Sequence, residues 1–306
     1  MTPNPVPVQQ LPAKTPQTAG KADVSLARSC WTLYRLSLGQ HRHGRRWIGT
    51  LALTLLPMLI AIIIRSTDPY AAPGSMEFGL VFMLIPQGLL PLLALVYASG
   101  IIQDEQEDQT ITYLLVRPIP KWMMYLIKWA AALTAAEILA MAAIVLTYAA
   151  IFCGTHGASG SFIHLAERCL VACTVHGLAI LAYCGIFGLM GLVTQRVLVI
   201  GILYTALFEG LFANTPFNLR MITVIYYARL LIYRLLPHHA KPGLRVHSTT
   251  ANTWKFITAG DPNLKLYPHN WVCVTVLLST AIFTSALAGW ICSNREFYVK
   301  TPNKTD

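Results

Sequence analysis

Six apolar stretches recur along this chain, each close to the length of a bilayer crossing: Trp47 to Ile64, Gly79 to Ile102, Met123 to Phe152, Cys169 to Val193, Leu198 to Phe212 and Trp271 to Ile291. A hydrocarbon layer about 30 Å thick is crossed by about 20 residues of helix rising about 1.5 Å each. Inside lipid the backbone has to satisfy its own hydrogen bonds, so these stretches are predicted to be helices. With 55% hydrophobic and 12% charged residues and a mean hydropathy of +0.53, the chain of 306 residues is too apolar for a soluble domain of its size. The expected fold is an all-α integral membrane protein with six transmembrane helices, its six-span domain covering residues 47–293. The third stretch is longer than a bilayer needs and the fifth is short.

Residues 1–25 hold Pro, Gln, Thr and Lys, with no apolar leader and no cleavage pattern, and are expected to form a retained, disordered cytoplasmic tail. Residues 26–46 repeat Leu26, Cys30, Leu33, Tyr34 and Leu38 at helical spacing, which predicts an amphipathic interfacial helix on the membrane surface. Arg28, Arg35, Arg42, Arg45 and Arg46 precede the first span and place the N-terminus in the cytoplasm. Six crossings return the tail at 294–306 to the same side. One region runs against this topology: the outer loop, about residues 213–270, carries Arg220, Arg229, Arg234, Lys241, Arg245, Lys255 and Lys265. Segments that long follow the charge rule poorly. The apolar, aromatic part from Phe217 to Leu236 is expected to be re-entrant or to lie at the outer interface.

The net charge of +10 is spread over span ends and loops rather than gathered on one face, which argues against nucleic acid and for anionic lipid headgroups. The seven cysteines form no CxxC pair, and Cys173 with His176 has no second pair to complete a metal site, so no metal is expected. His238, His239 and His247 in the outer loop have no Cys or carboxylate close by and read as solvated.

Between the second and third spans, QDEQEDQTITYLLVRPIPK places Asp104, Glu105, Glu107 and Asp108 before a short apolar run. Carboxylates favour the positive end of a helix, and Asp108 could cap one running through Thr110, Tyr113, Leu114 and Leu115. Pro118 would end it near Arg117. A helix at about 104–120 outside the bilayer, apolar yet too short to span, is either a docking surface or an interfacial helix buried against its own bundle.

The run EQEDQTITYLLVRPIPKWMMYLIKW closely resembles the first cytoplasmic loop of permease subunits of type-2 ATP-binding-cassette exporters, with its acidic pair, a Thr, then YLL-x-RP. A second match, YTALFEGLFANTPFNLRMITVIYY, resembles the family's Glu-Gly-Leu and Asn-x-Pro turn at the end of the fifth span, followed by an outer helical hairpin. Gln109 stands where a Gly usually precedes the Thr, and Lys121 replaces the usual Arg. The resemblance extends from about Arg28 to Tyr298. It implies that the loop is a coupling helix seated on a separate cytoplasmic ATPase subunit, which binds ATP and Mg while this chain binds no cofactor. It implies also a second permease, identical or related, in a cell membrane, the bacterial inner one. Independently, the sequence holds no G-x-x-x-x-G-K-[ST] phosphate loop.

An ionisable group within a span is a functional candidate because hydrocarbon disfavours it. Glu137 lies nine residues past Lys128 in the third stretch, about 13 Å deep, too far for its short side chain to reach the surface that Lys128 can reach. Protonation, a cavity or a pairing helix would each accommodate it. Gln87 and His176 fall about 10 to 12 Å below the outer face and Glu209 about 13 Å, which permits a polar layer along a substrate path. Pro86 and Pro91 bracket Gln87 and predict a kink. Gly177, Gly185, Gly188 and Gly191 would let other helices approach the fourth span closely. Two other readings stand beside the permease: an ion-coupled carrier with Glu137 as proton site, and a membrane-embedded lipid-modifying enzyme. The first lacks visible similarity between halves and the second lacks a convergent catalytic set.

Overall fold

The computed structural model describes residues 26–43, 46–107, 120–152, 162–214, 218–236 and 268–294. Helix is the only regular structure among them. After α1 (Leu26–His43) and α2 (Arg46–Thr67), α3 (Pro73–Glu77) passes without a break into a π-helix, Phe78–Leu89, and on into α4 (Leu90–Glu107). Next come α5 (Lys121–Phe152) and α6 (Phe162–Val193), each of 32 residues. The chain then forms α7 (Val197–Tyr204), a second π-helix (Thr205–Leu211), and 3-10 turns at Phe212–Asn214 and Asn218–Ile222. It ends in α8 (Val224–Leu235) and α9 (Asn270–Asn294).

Among the described residues five helices are long and apolar enough to cross a membrane: Trp47–Thr67, Pro73–Ile101, Lys121–Phe152, Leu165–Val193 and Asn270–Asn294. The fifth expected stretch, Leu198 to Phe212, falls on a shorter apolar helix, Val197–Leu211. The helix of the second span runs through Pro86 and Pro91 without a gap, and its winding changes from the wide π form to α at Leu90.

The fourth span, α6, is the hub. It packs against α4, α5, α8 and α9, and its glycines show how. A methyl group on Gly185 would overlap Thr284 Oγ1 of α9, one on Gly188 would stand 2.7 Å from the Tyr125 hydroxyl of α5, and one on Gly191 3.3 Å from the Ser99 carbonyl oxygen of α4. Each glycine thus admits a different neighbour, which is how helices without a hydrophobic driving force between them gain contact in lipid.

The amphipathic stripe of α1 packs against α5. Leu33 is buried, Tyr34 donates its hydroxyl hydrogen to Thr134 Oγ1 at 3.1 Å, and Cys30 Sγ lies 3.6 Å from Met123 Sδ, all against α5. The exposed side of α1 carries Trp31 and Leu36 beside Arg28 and Arg35, an apolar and basic mixture suited to the lipid headgroup level. Helix α8, expected to be re-entrant or interfacial, is buried over most of its length against α6, α9 and the first π-helix.

Candidate functional site

Of the residues assigned to the coupling loop, Asp108, Thr110, Tyr113, Leu114, Leu115, Arg117 and Pro118 lie outside the described residues. Asp104, Glu105 and Glu107 fall in the last turns of α4, so the second span continues as helix through the first part of the acidic cluster.

Glu209 and Gln87 are brought together around α8. Thr223 precedes this helix in extended conformation and makes no side-chain cap, because its hydroxyl donates to the Arg220 carbonyl at 2.8 Å. The first amides of α8 are therefore open to another acceptor. Glu209, in the second π-helix, supplies it: Oε1 accepts the Val224 N–H at 3.2 Å and Oε2 accepts the Ile225 N–H at 3.1 Å. Its carboxylate also meets the positive end of the helix dipole. Tyr204 donates to the same Oε1 at 3.4 Å, and the fully buried Tyr183 of α6 faces the group.

One and a half turns into α8, Arg229 is fully buried, with Nη2 donating to Gln87 Oε1 at 2.8 Å, and it lies near enough to Glu209 for their charges to attract. Two of the candidate residues, Gln87 and Glu209, are thus joined through an arginine that the sequence marks only as one of several basic residues in an apolar segment. The available signal was its position: a cation inside VIYYARLLIY has to find a counter-charge once the segment is buried. Arg220 lies over the Tyr226 ring at 5.5 Å, and Arg234 donates to Asn270 Oδ1 at 3.4 Å. Three of the basic residues that ran against the charge rule are therefore held by the bundle.

His176, the third candidate, is fully buried one step away. In π winding the Val81 carbonyl is due the amide of residue 86, but that residue is Pro86 and has no N–H. His176 Nε2 lies 3.2 Å from this carbonyl oxygen, and Nδ1 lies 2.6 Å from that of Ala172. A neutral ring can donate to only one of the two, whereas an imidazolium donates to both.

Above this layer sits a cluster that the sequence reading passed over. Glu77, 2% exposed, accepts Arg168 Nη2 at Oε2 (2.6 Å) and Nε at Oε1 (3.1 Å), and Oε1 also accepts the Tyr148 hydroxyl at 2.7 Å. The group ties together the end of α3, the end of α5 and the start of α6. Close by, Arg65 at the end of α2 donates to the Ile151 carbonyl in the last turn of α5. Glu77 and Arg168 each stand just outside the apolar stretches, where a charge is unremarkable; their shared outer boundary and opposite sign were the signal.

Glu137 takes no part in these networks. It lies on α5 against Gly177 of α6, whose added methyl would stand 3.1 Å from Oε2. Lys128, expected to extend to the surface, is instead buried at 4% exposure among α5 and its neighbours. Among the described residues no group of three or more His, Cys, Asp or Glu side chains is placed to hold a metal ion.

The arrangement consists of buried charges that fix helix ends, two widened helical segments, and a cap shared between the second π-helix and α8. A search of curated proteins returns no significant match. The model for ABC-2 family transporter protein matches residues 40–208, more than half of the chain, including the loop between the second and third spans and Glu137, His176 and Gln87. Both the spans and this match place the chain in one family: it belongs to the multi-pass membrane proteins of the ABC-2 transporters.

Proposed function

We propose that this chain is the permease subunit of an ATP-driven exporter, energised by a separate ATPase subunit that carries ATP and Mg and docks on the first cytoplasmic loop. The observation that carries the reading is the family match itself, which takes in the whole of that loop, residues 104–120. The lack of a phosphate-binding loop in the sequence supports a division of labour between two polypeptides. In this mechanism closure of the ATPase is transmitted through Asp104, Glu105, Glu107, Asp108 and the Tyr113 to Pro118 segment into α4 and α5. The bundle responds at its outer half, where Gln87, Arg229 and Glu209 act as a gate and His176 holds the π-helical wall in place. Two permeases, identical or related, enclose the path. The termini lie in the cytoplasm and the membrane is the inner one of a bacterium.

Co-purification tests the proposal. A tagged copy, expressed with the ATPase encoded beside it and extracted in mild detergent, is expected to leave the column as a complex that hydrolyses ATP. A chain that purifies alone under conditions known to preserve such complexes removes the coupling argument.

A further inference from the structure

Glu137 is the intramembrane carboxylate that the outer network leaves aside, and its surroundings differ from those of Glu77 and Glu209. Nine residues separate it from Lys128 toward the inner side of α5, and nine separate Gly177, on which it rests, from Arg168 at the outer side of α6. At about 1.5 Å per residue each count gives about 13 Å, so the carboxylate lies near the middle of a layer about 30 Å thick. Its oxygens stand 3.1 and 3.5 Å from where a methyl on Gly177 would be, and Met141 Cε stands 3.2 Å from the same point. A methyl at 177 would press on both side chains and make them shift by a few tenths of an ångström.

This seam between α5 and α6 opens outward from the bundle. Glu137, Met141, Cys173 and Gly177 are half-buried, and Ile138 and Leu170 beside them are 63% and 67% exposed. Among the described residues no hydrogen bond or ion pair reaches the carboxylate. Its neighbours are instead a thioether and a thiol, apolar and polarisable groups that adapt to varied shapes. The combination is one acidic group in an otherwise apolar, deformable lining, which is how sites for small molecules obtain orientation from a single polar contact. Depth and exposure select what can arrive: a hydrophilic cation does not reach mid-bilayer, whereas a cation carrying its own apolar groups does.

We propose that the Glu137 seam binds a lipophilic cation, an onium ion or protonated amine with apolar substituents, taken laterally from the bilayer with the carboxylate as counter-charge. Only the fate of the bound cation, as a substrate handed to the exporter, rests on the permease reading. Binding itself needs neither ATP nor a partner.

The full chain in lipid nanodiscs provides the test, with tetraphenylphosphonium as ligand and dicyclohexylcarbodiimide, which modifies carboxyl groups in apolar surroundings, as reporter. Saturable binding is expected, weakened about tenfold or more by Glu137→Gln, which keeps shape and hydrogen bonding but not charge, and retained by Glu137→Asp. The cation should also slow carbodiimide modification of Glu137, located by peptide mass. Equal binding by wild type and Glu137→Gln overturns the proposal. So does modification that the cation leaves unchanged, or that assembly with the other subunits blocks without any cation, which would make the seam a helix contact. Because the chain is tested alone, failure here leaves the co-purification result standing, and failure there leaves this one.

Discussion

A carboxylate that accepts one backbone amide on each oxygen has no oxygen to spare. In Glu209→Gln, one of the two acceptors facing Val224 and Ile225 becomes an NH2 group directed at an N–H, so a hydrogen bond is lost and two donors confront each other. A stability loss of about 1 to 3 kcal/mol is expected from the buried donor left behind, visible as a lower melting temperature of the detergent-solubilised protein. Transport or substrate-stimulated ATP hydrolysis should change as well, without dissociation of the ATPase. A wild-type response in both assays would reduce Glu209 to packing. Removal of Arg168 is expected to be harsher, because it strands the nearly fully buried Glu77. Breaking a buried pair costs about 3 kcal/mol or more, and Arg168→Ala should exceed the double variant Glu77→Ala, Arg168→Ala in its effect on melting.

Among the helices, the second span gives the most specific expectation. If Val81 offers its carbonyl to His176 because Pro86 cannot donate, then Pro86→Ala supplies the missing amide within the helix itself. The cost of His176→Ala should then fall by about 0.5 to 1.5 kcal/mol in the Pro86→Ala background, a coupling that a double-mutant cycle in thermal unfolding would measure. Additive effects would separate the histidine from the proline. How far such elements were legible in the sequence differs by kind. The spans were, since hydropathy over about 20 residues is a property of each segment alone. The amphipathic stripe of α1 was legible as a stripe, but periodicity does not tell what packs on it, and the structure shows α5 there. A shared depth for Gln87, His176 and Glu209 is an expectation that leaves the facing direction open, and it took the burial of Arg229, bonded to Gln87 and near Glu209, to relate two of them. The prolines signalled a disturbance without specifying π winding, which depends on a carbonyl being answered from another helix.

Across the whole molecule the question is how energy enters. Replacing Glu105, Glu107 and Asp108 together by Ala is expected to leave membrane insertion intact while lowering the amount of ATPase recovered with the tagged permease. Undiminished recovery would free the acidic cluster of a docking role. Within the bundle, polar links join α2, α3, α5 and α6 near the Glu77 cluster and, separately, the second π-helix with α8, so parting these elements has to break defined bonds rather than slide smooth surfaces.

The glycines of the fourth span carry a genetic consequence. Because Gly185, Gly188 and Gly191 each abut a different helix, a methyl added at one of them injures one contact and leaves the other two alone. Selection for revertants of Gly185→Ala should therefore recover second-site changes in α9, at Thr284 or Ala281, while revertants of Gly188→Ala should fall in α5 at Tyr125 or Trp129. Sequencing such suppressors would draw the neighbours of this helix without a structure, and revertants scattered evenly over the chain would contradict the placement described.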